Sequence, residues 1–205
     1  MKSILLATML PLMLNSQESK LPPLKLGDEI CITANNDSFA AHAVTGTRPL
    51  NDAPPLIEYP KESRPDISSF GVLDVEGKLQ TIAQNRGKII VLCFWTPSCD
   101  GSLRALQSMK FYQAEEKRGD FLVWPVHNEG WPYVLSFTRR ERDKFEGIKI
   151  FHTAIGENGM HVLGKAITAL PMIYVVDRNG RIAASFSGYR QTLLSELLNK
   201  IYPAK

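Results

Sequence analysis

Polar and apolar positions follow no sustained period over residues 16–67, then fall into clear patterns from about residue 68. The segment "SSFGVLDVEGKLQTI" (68–82) has two short extended runs about Glu76-Gly77, which predicts a hairpin. "KIIVLCFW" (88–95) is an unbroken apolar run rich in β-branched residues, the pattern of a strand buried on both faces. In "CDGSLRALQSMKFYQAEEKRG" (99–119), Leu103, Leu106, Met109 and Tyr112 or Gln113 recur at helical spacing, with Gly119 as the stop. "DFLVWPVH" (120–127) predicts a strand. Pro125 removes a ladder donor from it, so a bulge or an edge position is expected. "YVLSFTRRERDKF" (133–145) is helical in period, "IKIFHT" (148–153) is a short strand, and "NGMHVLGKA" (158–166) predicts a short helix. "PMIYVVDRNGRIAASFSG" (171–188) predicts two strands joined at Arg178-Asn179-Gly180. "RQTLLSELLNKIY" (190–202) predicts an amphipathic closing helix.

The early alternation of strand and helix implies a right-handed parallel crossover. The late hairpin adds antiparallel edges. The expected fold class is therefore α/β, a mixed central sheet with helices on both faces in three layers.

Ahead of this domain, prolines at 22, 23, 49, 54, 55, 60 and 65 break up residues 17–67, which predict an irregular arm lying on the domain or trailing from it. A short strand at "DEICIT" is the one regular element expected there. Residues 1–16 carry Lys2 and then an apolar stretch from Ile4 to Leu14, broken by Thr8 and Pro11. That stretch is too short to span a bilayer. It fits a signal peptide cleaved after Ser16, which predicts an exported, periplasmic or otherwise extracytoplasmic protein touching membrane only through that segment. The domain division expected is 1–16, 17–67 and 68–205.

Composition narrows the function. Of 205 residues, 44% are hydrophobic and 22% charged, as in a globular protein, and a net charge of +3 with scattered basic residues argues against nucleic acid. His42, His127, His152 and His161 lack metal-ligand spacing, so neither a metal nor another cofactor is expected. His127-Asn128-Glu129 ends a strand and is read as a surface loop. Phosphate-loop, dinucleotide and nucleophile-elbow motifs are absent.

Three cysteines remain: Cys31, Cys93 and Cys99. Cys93 lies in the buried strand pattern and reads as packing. Cys31 lies in the arm, either as a distant resolving thiol or as a free one. Cys99 follows "FWTPS" at the strand–helix junction, where helix-terminal N–H groups favour a thiolate. Ser102, three positions on, can donate a hydrogen bond to that thiolate but cannot form an S–S bond. Asp100 opposes ionisation of its neighbour.

"FWTPSC" after an apolar strand, with a later "ALPMIYVVDRNG", resembles the thioredoxin superfamily, and more narrowly its TlpA/ResA-like, redoxin-type thiol–disulfide oxidoreductases. Those carry F-W-x-x-W-C-x-x-C and a cis-proline. The resemblance spans about residues 68–202 and implies a thioredoxin-like α/β/α fold. It implies Cys99 as the nucleophilic cysteine, with Ser102 in place of the resolving one. It further implies a substrate wall at Leu170 and the cis-proline Pro171, with Trp95 beside it. The pattern departs at Ser98 for the tryptophan, Gly101 for the motif proline, Cys93 for a buried acid and Ala105 for a glutamate. The implied activity is monothiol thiol–disulfide exchange through C-D-G-S. Its partners are protein or small-molecule thiols and disulfides and an external thiol reductant.

Two other readings stand beside it. Thr96-Pro97-Ser98-Cys99 contains the T-x-x-C of peroxiredoxins, although Leu92 stands where that family has proline, so a thiol peroxidase is one alternative. A non-catalytic binding domain that keeps the groove at Pro171 is the other.

Overall fold

The computed structural model describes residues 17–18, 30–33, 44–48, 56–115, 120–127, 130–141, 145–163, 167, 169–190 and 192–203. The expected signal segment 1–16, His42, Gly119, Asn128, Glu129 and most of the arm lie outside them.

The strand expected at 88–95 is β7 (Ile89–Phe94), fully buried along its length. It is followed by α1 (Asp100–Glu115) and then by β8 (Phe121–His127), which pairs parallel with β7. α2 (Trp131–Arg140) leads to β9 (Phe151–Thr153), parallel to β8. Pro132 sits in the first turn of α2, where its missing N–H breaks no helical bond.

β11 (Met172–Val176) and β12 (Ile182–Ser187) form the predicted antiparallel hairpin, with β11 against β7. Asp177 Oδ1 accepts the Asn179 and Arg181 N–H groups across its turn. Gly180 in that turn has φ +82°. The early hairpin is β5 (Gly71–Leu73) with β6 (Leu79–Thr81), and β5 adds to β9. The closing helix is α3 (Leu193–Ile201).

Four strands of the arm join the sheets. β1 (Gln17–Glu18) pairs with β4 (Ile57–Glu58), and β4 pairs with β12. This completes a nine-stranded mixed sheet in the order β1-β4-β12-β11-β7-β8-β9-β5-β6. β2 (Ile30–Thr33) falls within "DEICIT" and forms a hairpin with β3 (Val44–Arg48). A two-residue strand, β10 (Ala169–Leu170), pairs with β2, giving a separate three-stranded sheet.

Alternation along β7 sorts the core into two clusters. Ile89, Val91, Cys93 and Trp95 pack with Leu106 and Met109 of α1, Val134 of α2 and Leu197 and Leu198 of α3. Ile90, Leu92 and Phe94 pack with Phe70, Trp124, Tyr174, Leu163 and Ile167 on the other face. Each such side chain contributes roughly 1.5–3 kcal/mol through burial. Leu56 and Ile67, ahead of residue 68, are core residues too.

Three local expectations differ. β8 is an interior strand in unbroken register with β7, not a bulged or edge strand. β9 pairs with β8 only from Val126 on, so Pro125 lies where β8 has β7 alone as a neighbour. The helix expected over 133–145 starts earlier, at Trp131, and ends at Arg140. The segment expected as a short helix at 158–166 holds a 3-10 turn, Met160–Leu163.

Candidate functional site

Cys99 ends the loop that leaves β7. Its N–H donates to the Thr96 carbonyl at 3.3 Å, and its own carbonyl accepts the Leu103 N–H at 3.1 Å, the first bond of α1. The residue thus occupies the capping position of the helix. The Ser102 backbone N–H donates to Cys99 Sγ at 3.4 Å. A sulfur atom here does what a Ser or Asp oxygen does at other helix starts. Negative charge on it is favoured by that N–H and by the helix dipole.

The sulfur is oxidised: Cys99 is in a disulfide and wholly buried. The expectation of an open, ionised thiol is therefore not met in this state. Cys99 Sγ also lies 3.8 Å from the Leu170 carbonyl oxygen. A disulfide sulfur has no proton to donate, so this is a contact and not a hydrogen bond.

The Leu170–Pro171 peptide is cis. Leu170 and Pro171 immediately precede β11 and lie beside the carboxyl end of β7: Met172 pairs with Phe94, the last residue of β7. Adjacent registers therefore bring the 94–99 loop and the 169–172 segment together. Pro171 is buried and its carbonyl accepts the Gly188 N–H at 2.8 Å, which fixes the segment against the end of β12. Leu170 is buried as well, and its backbone is paired to β2 with Cys31 directly opposite.

Ser102 and Trp95 do not take their expected parts. The Ser102 hydroxyl is fully buried and has no hydrogen-bond partner among the described residues. The group that reaches the sulfur is the Ser102 backbone, because the third residue of a helix turns its N–H toward the cap. Trp95 is fully buried in the core and presents no surface to a substrate. Its indole packs on Phe145 at a centroid distance of 5.6 Å and meets His127 edge-on at 6.3 Å. It supports the loop from beneath.

Cys93 is packing, as expected. It pairs with Ile173 and Pro125 inside the sheet, and burial pushes its thiol up from 9.0. Ala105, where the resembled family has a glutamate, is buried in the core.

His127 departs from the sequence reading. It is not in a surface loop but fully buried as the last residue of β8, with its ring 4.6 Å from Trp131 and 5.1 Å from His152. The signal that could have found it is its position at the carboxyl end of a parallel strand, where sites collect in such sheets. No group of three or more His, Cys, Asp or Glu among the described residues could hold a metal ion. Ser98 and Asp100, flanking Cys99, are exposed, so the rim of the site is open although the sulfur is covered.

No protein-family model matches the sequence. Two curated relatives do, the thiol-disulfide oxidoreductases ResA of Bacillus thuringiensis subsp. konkukian and of Bacillus cereus. Each is 24% identical over 151 residues, covering 71% of this chain and 84% of the relative. Among solved structures, a thioredoxin-family thiol:disulfide interchange protein from Chlorobium tepidum superposes with a TM-score of 0.53 at 20% identity, over 66% of this chain and 93% of that one. The exposed lipoprotein thioredoxin Etrx1 of Streptococcus pneumoniae superposes at 0.50 with 18% identity, over 64% and 98%. These likenesses in structure establish the fold. Sequence and fold agree: the chain has a thioredoxin-like fold and is similar in sequence to thiol–disulfide oxidoreductases of the ResA kind.

Proposed function

We propose that this is an exported protein that exchanges disulfides with protein or small-molecule partners through Cys99. One observation carries the reading: the sulfur of Cys99 caps α1, accepts the Ser102 N–H, touches the Leu170 carbonyl and is held in a disulfide. A cysteine so placed is a redox centre and not packing. Cys93, by contrast, is a free thiol buried within the sheet.

In the reduced protein, the Cys99 thiolate attacks one sulfur of a substrate disulfide. A Cys99–substrate bond forms, the substrate S–S bond breaks, and the second substrate sulfur leaves as a thiolate. The helix-terminal N–H groups hold the negative charge before attack. The backbone edge at Leu170, occupied by β2 in the oxidised protein, is where an extended substrate would pair in its place, in the manner of strand addition. Ser102 cannot resolve the adduct, since its hydroxyl forms no S–S bond, so the motif itself acts as a monothiol. A thiol from elsewhere must complete the turnover. Export is supported by the apolar N-terminal segment, and in an oxidising compartment such exchange has disulfide substrates.

The test is alkylation of the reduced, folded protein at neutral pH. Cys99 is expected to react first and to trap a mixed disulfide with oxidised glutathione. Resistance of Cys99 until the protein is unfolded would leave a binding domain in place of an exchange protein. Rapid conversion to a sulfenic acid by hydrogen peroxide, without exchange, would favour the peroxidase.

A further inference from the structure

We propose that Cys31 is the resolving cysteine of this protein, delivered by the arm strand β2 across the site that a substrate strand would occupy. The proposal rests on the reading of Cys99 as the exchanging thiol and supplies the second sulfur which that reading lacks.

Two independent observations meet on Cys31. The first is chemical. The chain has three cysteines. Cys99 is in a disulfide, and Cys93 is free. Elimination leaves Cys31 as the candidate partner for Cys99 within the chain. The second is topological and concerns backbone alone. β2 pairs antiparallel with β10, and the residue opposite Leu170 is Cys31. Leu170 is the residue whose carbonyl oxygen lies 3.8 Å from Cys99 Sγ. β2 also runs close to α1, the helix that Cys99 caps. Register thus puts Cys31 level with the reactive sulfur; a shift of one residue would put Ile30 or Ile32 there and turn the other face of the strand to it.

The arm is built to return to this place. β3 backs β2 in a hairpin, so β2 arrives with one edge already paired and only the other open to Leu170. Downstream, β4 is sewn to β12, Arg64 is bridged to Asp177 at 2.9 Å, and Ile67 is in the core. A thiol tethered in this way acts at a high effective concentration without a dedicated binding step.

The reaction balances as follows. After Cys99 has attacked the substrate disulfide, the Cys31 thiolate attacks Cys99 Sγ in the mixed disulfide. The Cys31–Cys99 bond forms and the Cys99–substrate bond breaks, releasing the remaining substrate sulfur, the one Cys99 had held, as a thiolate. The substrate disulfide has gained two electrons and two protons, and the two protein thiols have lost them. An external dithiol then reduces the Cys31–Cys99 bond and is itself oxidised. Substrate and β2 compete for the same edge at Leu170, so the strand leaves for the substrate and returns to expel it. The oxidised protein, with β2 in place, is closed to substrates until it is reduced.

The test uses the full chain. Oxidised protein digested without reduction is expected to yield one linked peptide pair, containing Cys31 and Cys99. Reduced wild type treated with one equivalent of 5,5′-dithiobis(2-nitrobenzoate) is expected to release two equivalents of thiolate and to keep no adduct. C31S is expected to release one and to hold a stable adduct on Cys99. Thermal melting of reduced C31S, matching reduced wild type, shows that the variant is folded. A stable Cys99 adduct in wild type as well as in C31S would overturn the role of Cys31 and leave Cys99 as an exchanging monothiol. A linked pair involving Cys93, or a disulfide between two chains, would overturn it also. Failure of Cys99 to react in either reduced protein would instead overturn the reading of Cys99 itself.

Discussion

The backbone N–H of Ser102 reaches Cys99 Sγ at 3.4 Å, while the Ser102 hydroxyl is buried with no partner among the described residues. The stabilising contact to the sulfur is thus a property of the helix start, and the side chain at position 102 is free to vary without removing it.

Two substitutions at 102 follow from this. Ser102→Ala removes a hydroxyl that has no bond to lose, so its stability is expected within about 1 kcal/mol of wild type by denaturant unfolding. The thiol titration of reduced Cys99, followed by pH-dependent alkylation, is expected to stay where it is. A large shift would mean that the hydroxyl, and not the backbone, holds the charge. Ser102→Cys places a second sulfur beside Cys99 and is expected to raise dithiol-driven disulfide reduction by on the order of tenfold or more, since resolution no longer waits for a distant thiol. No gain in a folded variant would count against Cys99 as the attacking group.

Cys93 sets an alkaline limit on stability. Burial raises its folded pKa above the ordinary 9.0, so the folded thiol stays protonated while the unfolded one ionises. Above the unfolded value the native state binds more protons than the unfolded state, and stability falls as pH rises. Tyr202, pushed up to about 12 by burial first and Asp177 second, acts in the same direction at higher pH. The urea midpoint is expected to drop between pH 8 and 10 (about the ordinary thiol range), and less so in Cys93→Ala. Equal slopes in the two proteins would refute this origin.

Arg64 and Asp177 form an ion pair whose side chains are 14% and 7% exposed. Arg64→Met leaves a buried carboxylate without its cation, at an expected cost of about 3 kcal/mol. The two turn N–H groups that Asp177 Oδ1 accepts keep the loss from being larger. Because Arg64 lies between the arm and the domain, chemical unfolding of the variant is the direct measure.

Gly180 has φ +82°, and a Cβ there would come within 2.6 Å of Ser68 Oγ. Gly180→Ala is expected to cost about 1–2 kcal/mol from the left-handed backbone alone, with more from displacing Ser68. Thermal melting reads the loss. A neutral result would mean that the hairpin turn relaxes to another conformation.

Legibility in the chain was uneven for physical reasons. The unbroken apolar run at 89–94 and the Asn179-Gly180 turn encode β7 and the β11–β12 hairpin through periodicity and backbone preference, both local. Pro125 misled because its missing N–H matters only where a neighbouring strand would use it, and the extent of β9 beside it is not written near Pro125. Trp95 and His127 carry polar atoms at a strand end, a feature equally compatible with a site and with a core. Only packing against Phe145 and Trp131 decides between them.

The sequence by itself determined the strand–helix junction that carries Cys99, the proline before the last hairpin and the absence of a second cysteine three residues on, since each is a matter of residue order over a few positions. Tertiary structure alone decided that Cys99 is oxidised and covered, and that Cys31 stands opposite Leu170. Strand register between segments so far apart in the chain is set by which edges remain unpaired once the sheet has formed, and no short-range pattern of residues records that.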